Sequence, residues 1–490
     1  MSRVEVERGR RYYCEVVGSE KPLAGTFVID GVDIRASLVR FGDFLPPQAG
    51  CPLRVRTEEN WFASMFDTIP SGWTQRGGDA DRAYVQETSS NITLVGYDVW
   101  TDSDLVRRLS FRIDGLEPVF RNSTHYRAVI DSDMGEMPDL TVFEISADDV
   151  VVKAWLAPSG TLASHRPSKV TPWIVAEFSK GRTIADVRWA VQRIVRFFSA
   201  VAGKSLRATD LIVSRYSEAE VDARATHHEP IPEHRIFSYA DGEEIPAVKA
   251  DPYSTLVDVW SSKERIALEA CLAKWIERDS DWAYASAMMA DTLSKQGTMS
   301  TSRLLSATRC LEEIPDAAPR KVISKEHAKA LGKLVGRGTA QLGYGVLAGR
   351  FKNAISKIAS ETNRERLKRL VADVRATFGD TIVDDHLVDW VAEALSMRGR
   401  AAHGARTALD DEYEVFARAV ESVECLNILL MVKDLPLGDE HRDRASRHTL
   451  VQQYRNCTLP GPPAAFRAAL ARMETAKATE RPPGPAPRSR

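Results

Sequence analysis

The chain has 490 residues, 43% hydrophobic and 27% charged, which excludes a fibre, a bare coiled coil or a chain disordered throughout. Lys plus Arg is 66 against 68 Asp plus Glu, a net charge of −2, so any nucleic-acid surface must be local rather than global. At roughly 150 residues per domain the length predicts two or three domains.

The N-terminal stretch MSRVEVERGRR is charged and has no apolar core of a secretory signal. The longest purely apolar run near the other end, Ile428 to Val432, is far short of the roughly 20 residues a bilayer span needs. Cys14, Cys51, Cys271, Cys310, Cys425 and Cys457 are scattered and form no CxxC, so they read as reduced thiols. These features predict a cytoplasmic protein with no membrane partner, no structural zinc and no cofactor.

The first half reads as strands. Gly25 to Leu38 makes two alternating runs around Asp30-Gly31, a hairpin signal, because a type I′ turn needs positive φ at both central positions. Further β-rich runs follow at Leu53–Arg56, Ser90–Trp100, Leu109–Ile113 and Leu140–Trp155, with Pro and Gly clusters between them. They predict an antiparallel sandwich or barrel-like domain. One helix is expected at Ile184–Ala202, with Val187, Val191, Ile194 and Phe198 on one face and Gly203 as its stop. Leu211–Arg215 reads as the closing strand, which bounds the β domain at 1–215. Residues 216–252 are polar and read as a linker. His227, His228 and His234 lie close together there, but no Cys or second ligand pair supports a metal site.

The second half reads as helices: Ser254–Ile276, Thr301–Ile314, a helix opened by the Thr362–Glu365 capping box and stopped by Gly379, then Asp384–Met397 and Asp410–Val432. They predict an all-α bundle over 253–435, and with the first half an α+β multidomain fold. Gly336, Gly338, Gly343, Gly345 and Gly349 match neither a P-loop nor a dinucleotide fingerprint and read as a loop. The Pro-, Ala- and Arg-rich tail, 459–490, reads as mostly disordered, with a transient helix at Ala464–Met473.

Two features of the bundle point to chemistry. Arg398-Gly-Arg-Ala-Ala-His403 pairs a guanidinium, which grips phosphate in a fork, with an imidazole that moves protons near neutral pH. Arg320 with His327 and Arg442 with His448 have similar spacings. Context favours Arg398, because it continues the apolar stripe of Leu387, Val391 and Leu395, where an arginine needs a carboxylate, an interface or a phosphate. A structural salt bridge to Glu312 or Glu313 is the alternative. Five residues along one helix lie about 140° apart, so convergence of Arg398 and His403 requires a break, with Gly399 the candidate. The second feature is charge. From Pro319 to Ser356 the bases Arg320, Lys321, Lys325, Lys329, Lys333, Arg337, Arg350 and Lys352 face the single acid Glu326, a pattern that suits a phosphate backbone or a solvated helix face.

The motif Arg398…His403 near the end of a helical domain resembles the Arg-x(4–6)-His signature of HEPN ribonucleases. Ser302-Arg-Leu-Leu-Ser-Ala-Thr-Arg-Cys-Leu-Glu312 is similar to a helix of the ApeA-like branch, and the β-rich part with its helix ending in Gly203 resembles that branch's N-terminal domain. The resemblance implies a bacterial anti-phage protein acting by abortive infection. Its HEPN domain would cleave RNA, tRNA included, without metal, as a homodimer restrained by the N-terminal domain and released by an unidentified phage-derived trigger. Arg398 then carries over as the phosphate-stabilising arginine, His403 as the proton-transfer group and Glu312 as an orienting acid. Lys329, Lys333 and Arg337 would bind RNA. Gly399 stands where the family often has Asn or Asp. The alternative is a non-catalytic HEPN-like dimerisation module with a ligand- or partner-sensing β domain.

Overall fold

The computed structural model describes residues 4–19, 23–30, 33–41, 50–76, 83–133, 135–160, 165–238, 248–402, 413–456 and 461–479. They form two compact units, the first comprising residues 1–198, 206–250 and 258–277, the second 199–205, 251–257 and 278 onward.

The first unit is built on β1 (Arg11–Val16), β2 (Ala24–Asp30), β3 (Asp33–Phe41), β4 (Leu53–Thr57), β5 (Phe62–Arg76), β6 (Ala83–Gly96), β7 (Val106–Asp114), β8 (Thr141–Ala147), β9 (Val150–Ser159), β10 (Lys169–Arg182), β11 (Arg207–Ser214) and β12 (His234–Ser238). Their order is β3-β2-β1-β4-β5-β6-β12-β11-β7-β10-β9-β8, and β3 also pairs with β6. The first six strands therefore close into a barrel, and the other six extend from β6 as an open antiparallel sheet. Alternation decides which side faces in. Phe27, Ile29, Ile34, Ala36 and Leu38 on the β2–β3 hairpin are buried with Tyr12, Cys14, Val55, Ala63 and Met65. Trp61 fills the middle, edge-on to Tyr12 at 4.9 Å and to Phe27 at 5.9 Å. The hairpin register ends at Asp30 opposite Asp33, and Gly31 of the expected Asp30-Gly31 turn lies outside the described residues.

Helices α1 (Glu117–Arg121), α2 (Thr124–Asp131) and α3 (Ile184–Ala202) belong to these regions. Gly203 ends α3 at φ 62, as its position after the apolar run requires. Residues 216–252 are not merely a linker. Ser217 and Glu220 form a reciprocal capping box that opens α4 (Glu218–Thr226), and β12 inserts between β6 and β11. His234 is thus buried in the sheet, its Nε2 2.9 Å from the Asp98 carbonyl, while His227 and His228 are exposed at the end of α4, and the trio does not converge. The helix expected from Ser254 begins later, as α5 (Ser262–Glu277), and α5 packs on β8 in the first unit rather than opening the bundle.

The second unit holds α6 (Asp279–Ser294), α7 (Thr301–Glu313), α8 (Lys325–Gln341), α9 (Ala348–Ile358), α10 (Asn363–Phe378), α11 (Leu387–Ala402), α12 (Tyr413–Val432), α13 (Asp439–Ala445), α14 (Thr449–Arg455) and α15 (Pro463–Thr479). Nearly every residue of α12 from Val415 on is buried, and α7, α10, α11, α14 and α15 pack on it. Thr362 and Glu365 cap α10 reciprocally, and Gly379 follows it at φ 95.

Two expectations change. The glycine-rich stretch read as a loop is mostly helix: α8 runs through Gly332, Gly336 and Gly338, turns at Gly343 (φ 81) and returns as α9. Packing of α8 on α9 offsets a propensity cost of about 1 kcal/mol per glycine. A bridge between Lys321 and Ser360 pins the base of this hairpin, and within α8 only Thr339 is buried. The tail is also not uniformly disordered. In α15, Phe466 is buried edge-on against Trp390 at 5.2 Å, and Arg467 pairs with Glu393 at 2.6 Å. One aromatic anchor in an Ala-rich run suffices to dock the helix. Residues 457–460 and 480–490 lie outside the described residues.

Candidate functional site

Helix α11 buries Leu387, Trp390, Val391, Ala394 and Met397. Arg398 follows on the same side but in the last turn, beyond most of the packing, and its side chain keeps 27% exposure. Its Nη1 donates to Oε1 of Glu312, whose side chain is 37% exposed at the end of α7. Glu313 instead pairs with Arg309 at 2.5 Å. Of the two carboxylates considered from sequence, Glu312 is the partner, and the pair is half-open rather than sealed. The last turn of α7 is an unfavourable place for an acid, because the helix dipole is negative there, so Glu312 favours cations beside it.

A second cation lies close. Arg366 on α10 is 8% exposed, and its Nε and Nη2 are sealed with no hydrogen-bond acceptor. Burial pulls its guanidinium below the usual arginine value, with the charge of Glu312 opposing that shift. Its neighbour Arg369 is committed elsewhere: it forks onto Glu361 and donates to the carbonyls of Asp316 and Ala318, which ties down the base of the α8–α9 hairpin.

Gly399 does not break α11, which is continuous to Ala402. The interior of a helix tolerates one glycine at a cost of about 1 kcal/mol. His403 lies outside the described residues. Of the other spacings, Arg320 precedes α8 and His327 is exposed on it, while His448 is buried, with Nε2 2.9 Å from the Ala200 carbonyl. Burial pushes the His448 imidazole down to about 4, which makes it a neutral structural group.

Lys329, Lys333 and Arg337 sit four residues apart along α8, all exposed, and none has a carboxylate partner among the described residues. No acid occurs between Glu326 and Glu361. The same hairpin exposes Leu334, Leu342, Tyr344 and, at 96%, Val346. A separate cleft of about 440 Å³ between α10 and α11 is lined by Arg364, Lys368 and Arg375 against Asp380, Asp385 and Asp389, a balanced set that includes neither Arg398 nor Glu312.

Sequence reasoning missed Arg366 and the Arg303–Glu424 pair. For Glu424 the available signal was a charge between Val423 and Cys425, since such a charge requires a partner; Arg366 stands in the charged run Arg364 to Arg369, and its signal was its place four residues before Leu370 on the apolar face. No family model matches the chain, and no match was found among curated proteins or solved structures.

Proposed function

We propose that the helical unit is a HEPN-like endoribonuclease that cuts RNA without a metal, with Arg398 gripping the scissile phosphate and His403 moving the proton. The observation that carries the reading is a half-open arginine, held by Glu312 at a helix end, on the same unit as a basic hairpin free of acids from residue 327 to 360. The neighbouring 2′-hydroxyl of the RNA attacks the phosphorus, the phosphorus–O5′ bond breaks, and a 2′,3′-cyclic phosphate and a 5′-hydroxyl remain. The histidine supplies or removes the proton at these oxygens, and the guanidinium meets the charge that builds on the phosphate. Lys329, Lys333 and Arg337 hold the backbone without reading sequence. In a bacterial cell the activity would serve abortive infection against phage, on tRNA or other cellular RNA. The active form would be a homodimer, and the β unit would restrain it until a phage-derived trigger arrives.

The test is incubation of the purified chain with RNA and matched DNA in excess EDTA, followed by identification of the new termini. The reading expects cut RNA with cyclic phosphate ends, intact DNA, and cutting reduced by at least about 10²-fold in His403→Ala and Arg398→Ala. Cut DNA, 5′-phosphate ends or undiminished activity in His403→Ala would overturn it.

The Arg398–Glu312 pair and the unbroken α11 favour a second reading, a non-catalytic dimerisation module. Under it, wild type and both variants leave RNA intact while all three dimerise in light scattering.

A further inference from the structure

Arg366 is a charge without an answer in this structure. It is more than nine-tenths buried, two of its N–H-bearing nitrogens meet no acceptor, and the charge it feels most favourably is that of Glu312. Glu312, in turn, is bound to Arg398 by a single guanidinium nitrogen. Helix α11 packs on both α7 and α10, so three helices place two arginines and one carboxylate in one neighbourhood: α7 supplies Glu312, α10 supplies Arg366 and α11 supplies Arg398. A bidentate carboxylate would satisfy Nε and Nη2 of Arg366 together, because those two nitrogens form one edge of the guanidinium fork.

We propose that Glu312 is a two-position carboxylate and Arg366 its second seat. In the free chain Glu312 occupies Arg398. When a phosphate takes Arg398, Glu312 moves onto the idle edge of Arg366, so the anion does not have to strand a carboxylate beside itself. Arg366 is then a positioning residue that acts through Glu312 and sets how readily Arg398 is released. The phosphate half of this proposal rests on the reading of Arg398 as the phosphate-gripping group. The exchange of Glu312 between two arginines does not.

The experiment has two arms, both on the full chain. The first needs no ligand. Arg366→Met is made in the wild-type and in the Arg398→Met background, and thermal unfolding is followed by circular dichroism. In the wild-type background the substitution removes an unsatisfied buried charge and leaves the melting temperature unchanged or raised. In the Arg398→Met background it removes the only remaining partner of Glu312 and lowers the melting temperature by about 2 °C. An effect of the same sign and size in both backgrounds would overturn the proposal.

The second arm measures binding of a fully 2′-O-methylated RNA oligonucleotide, which cannot be cut at its 2′-oxygens. Arg366→Met is expected to weaken binding about fivefold, and less than twofold when Glu312→Gln is already present, because a neutral amide no longer needs the second seat. Equal weakening in both backgrounds would mark Arg366 as merely structural and sink its positioning role. Failure of the wild-type chain to bind the oligonucleotide would defeat the RNA reading and the phosphate half with it, and the unfolding arm would still decide the exchange.

Discussion

Helix α7 carries a charge near each end, and the bundle treats the two in opposite ways. Arg303, near its start, is 1% exposed, forks onto Glu424 at 2.6 and 2.7 Å and gives its remaining nitrogen to the Gln296 carbonyl at 3.1 Å. Glu424 is fully buried, and burial raises its carboxyl although the Arg303 fork opposes that shift. Glu312, at the other end, shares a single contact with Arg398 and stays open to solvent. A sealed, satisfied pair admits neither water nor ligand, so its only role is to select how α7 seats against α12. An open pair held by one contact exchanges partners at little cost, which is what a site that grips a passing phosphate requires.

The sharpest way to break this comparison is Glu424→Ala. It strands Arg303 in the core and is expected to cost about 3–5 kcal/mol in urea unfolding. A cost under about 1 kcal/mol would show that the two pairs are not different in kind. Arg398→Ala should behave inversely. Its stability cost stays below about 1 kcal/mol, while under the proposed function RNA cleavage falls by about 10²–10³-fold in a single-turnover assay.

Acid probes the sealed side of the same unit. His448 is held down to about 4 by burial, below its unfolded value, so its contribution is complete above pH 6.5 and is lost as pH falls through 4. The expected loss is about 2–3 kcal/mol, read from denaturant midpoints across that range and absent in a folded His448→Gln variant. Glu421 on α12 works with the opposite sign. Burial pushes its carboxyl up from 4.5 to about 7, so its contribution is present below pH 4.5 and lost as pH rises through 7. Glu421→Gln should therefore stabilise the protein at pH 8 by about 1–2 kcal/mol and change nothing at pH 4.

The smallest effect on folding is expected where the surface is most open. Replacing Lys329, Lys333 and Arg337 together by Glu should move stability by less than about 0.5 kcal/mol. The same variant should weaken RNA binding for all sequences alike and cut the logarithmic salt slope by about 2. An unchanged slope in fluorescence anisotropy titrations would make these bases a solvated helix face.

Much of the local structure was legible in the sequence because it depends on neighbours in the chain. The β2–β3 hairpin, α3 with its stop at Gly203, and α10 between its capping box and Gly379 are examples. So was the partner of Arg398, since an arginine on an apolar stripe demands a carboxylate and Glu312 was one of two named. The run around Arg442 and His448 forms α13 and α14, each only seven residues long and held by burial of His441, Ala445, Leu450 and Tyr454. Seven residues are too few for periodicity to show.

The sequence by itself determined the order of events along the chain, strands first and helices after, because alternation of two and periodicity of 3.6 are properties of short windows. Only the tertiary structure decided that β3 meets β6 to close a barrel, that five polar-flanked residues become β12 in mid-sheet, and that α5 lies with the strands. It also decided that Arg303 finds Glu424 across 121 residues while Nε and Nη2 of Arg366 find no acceptor among the described residues. These outcomes depend on which faces remain unburied once every local element has formed, and a charge's partner is chosen by that remaining space rather than by its place in the sequence.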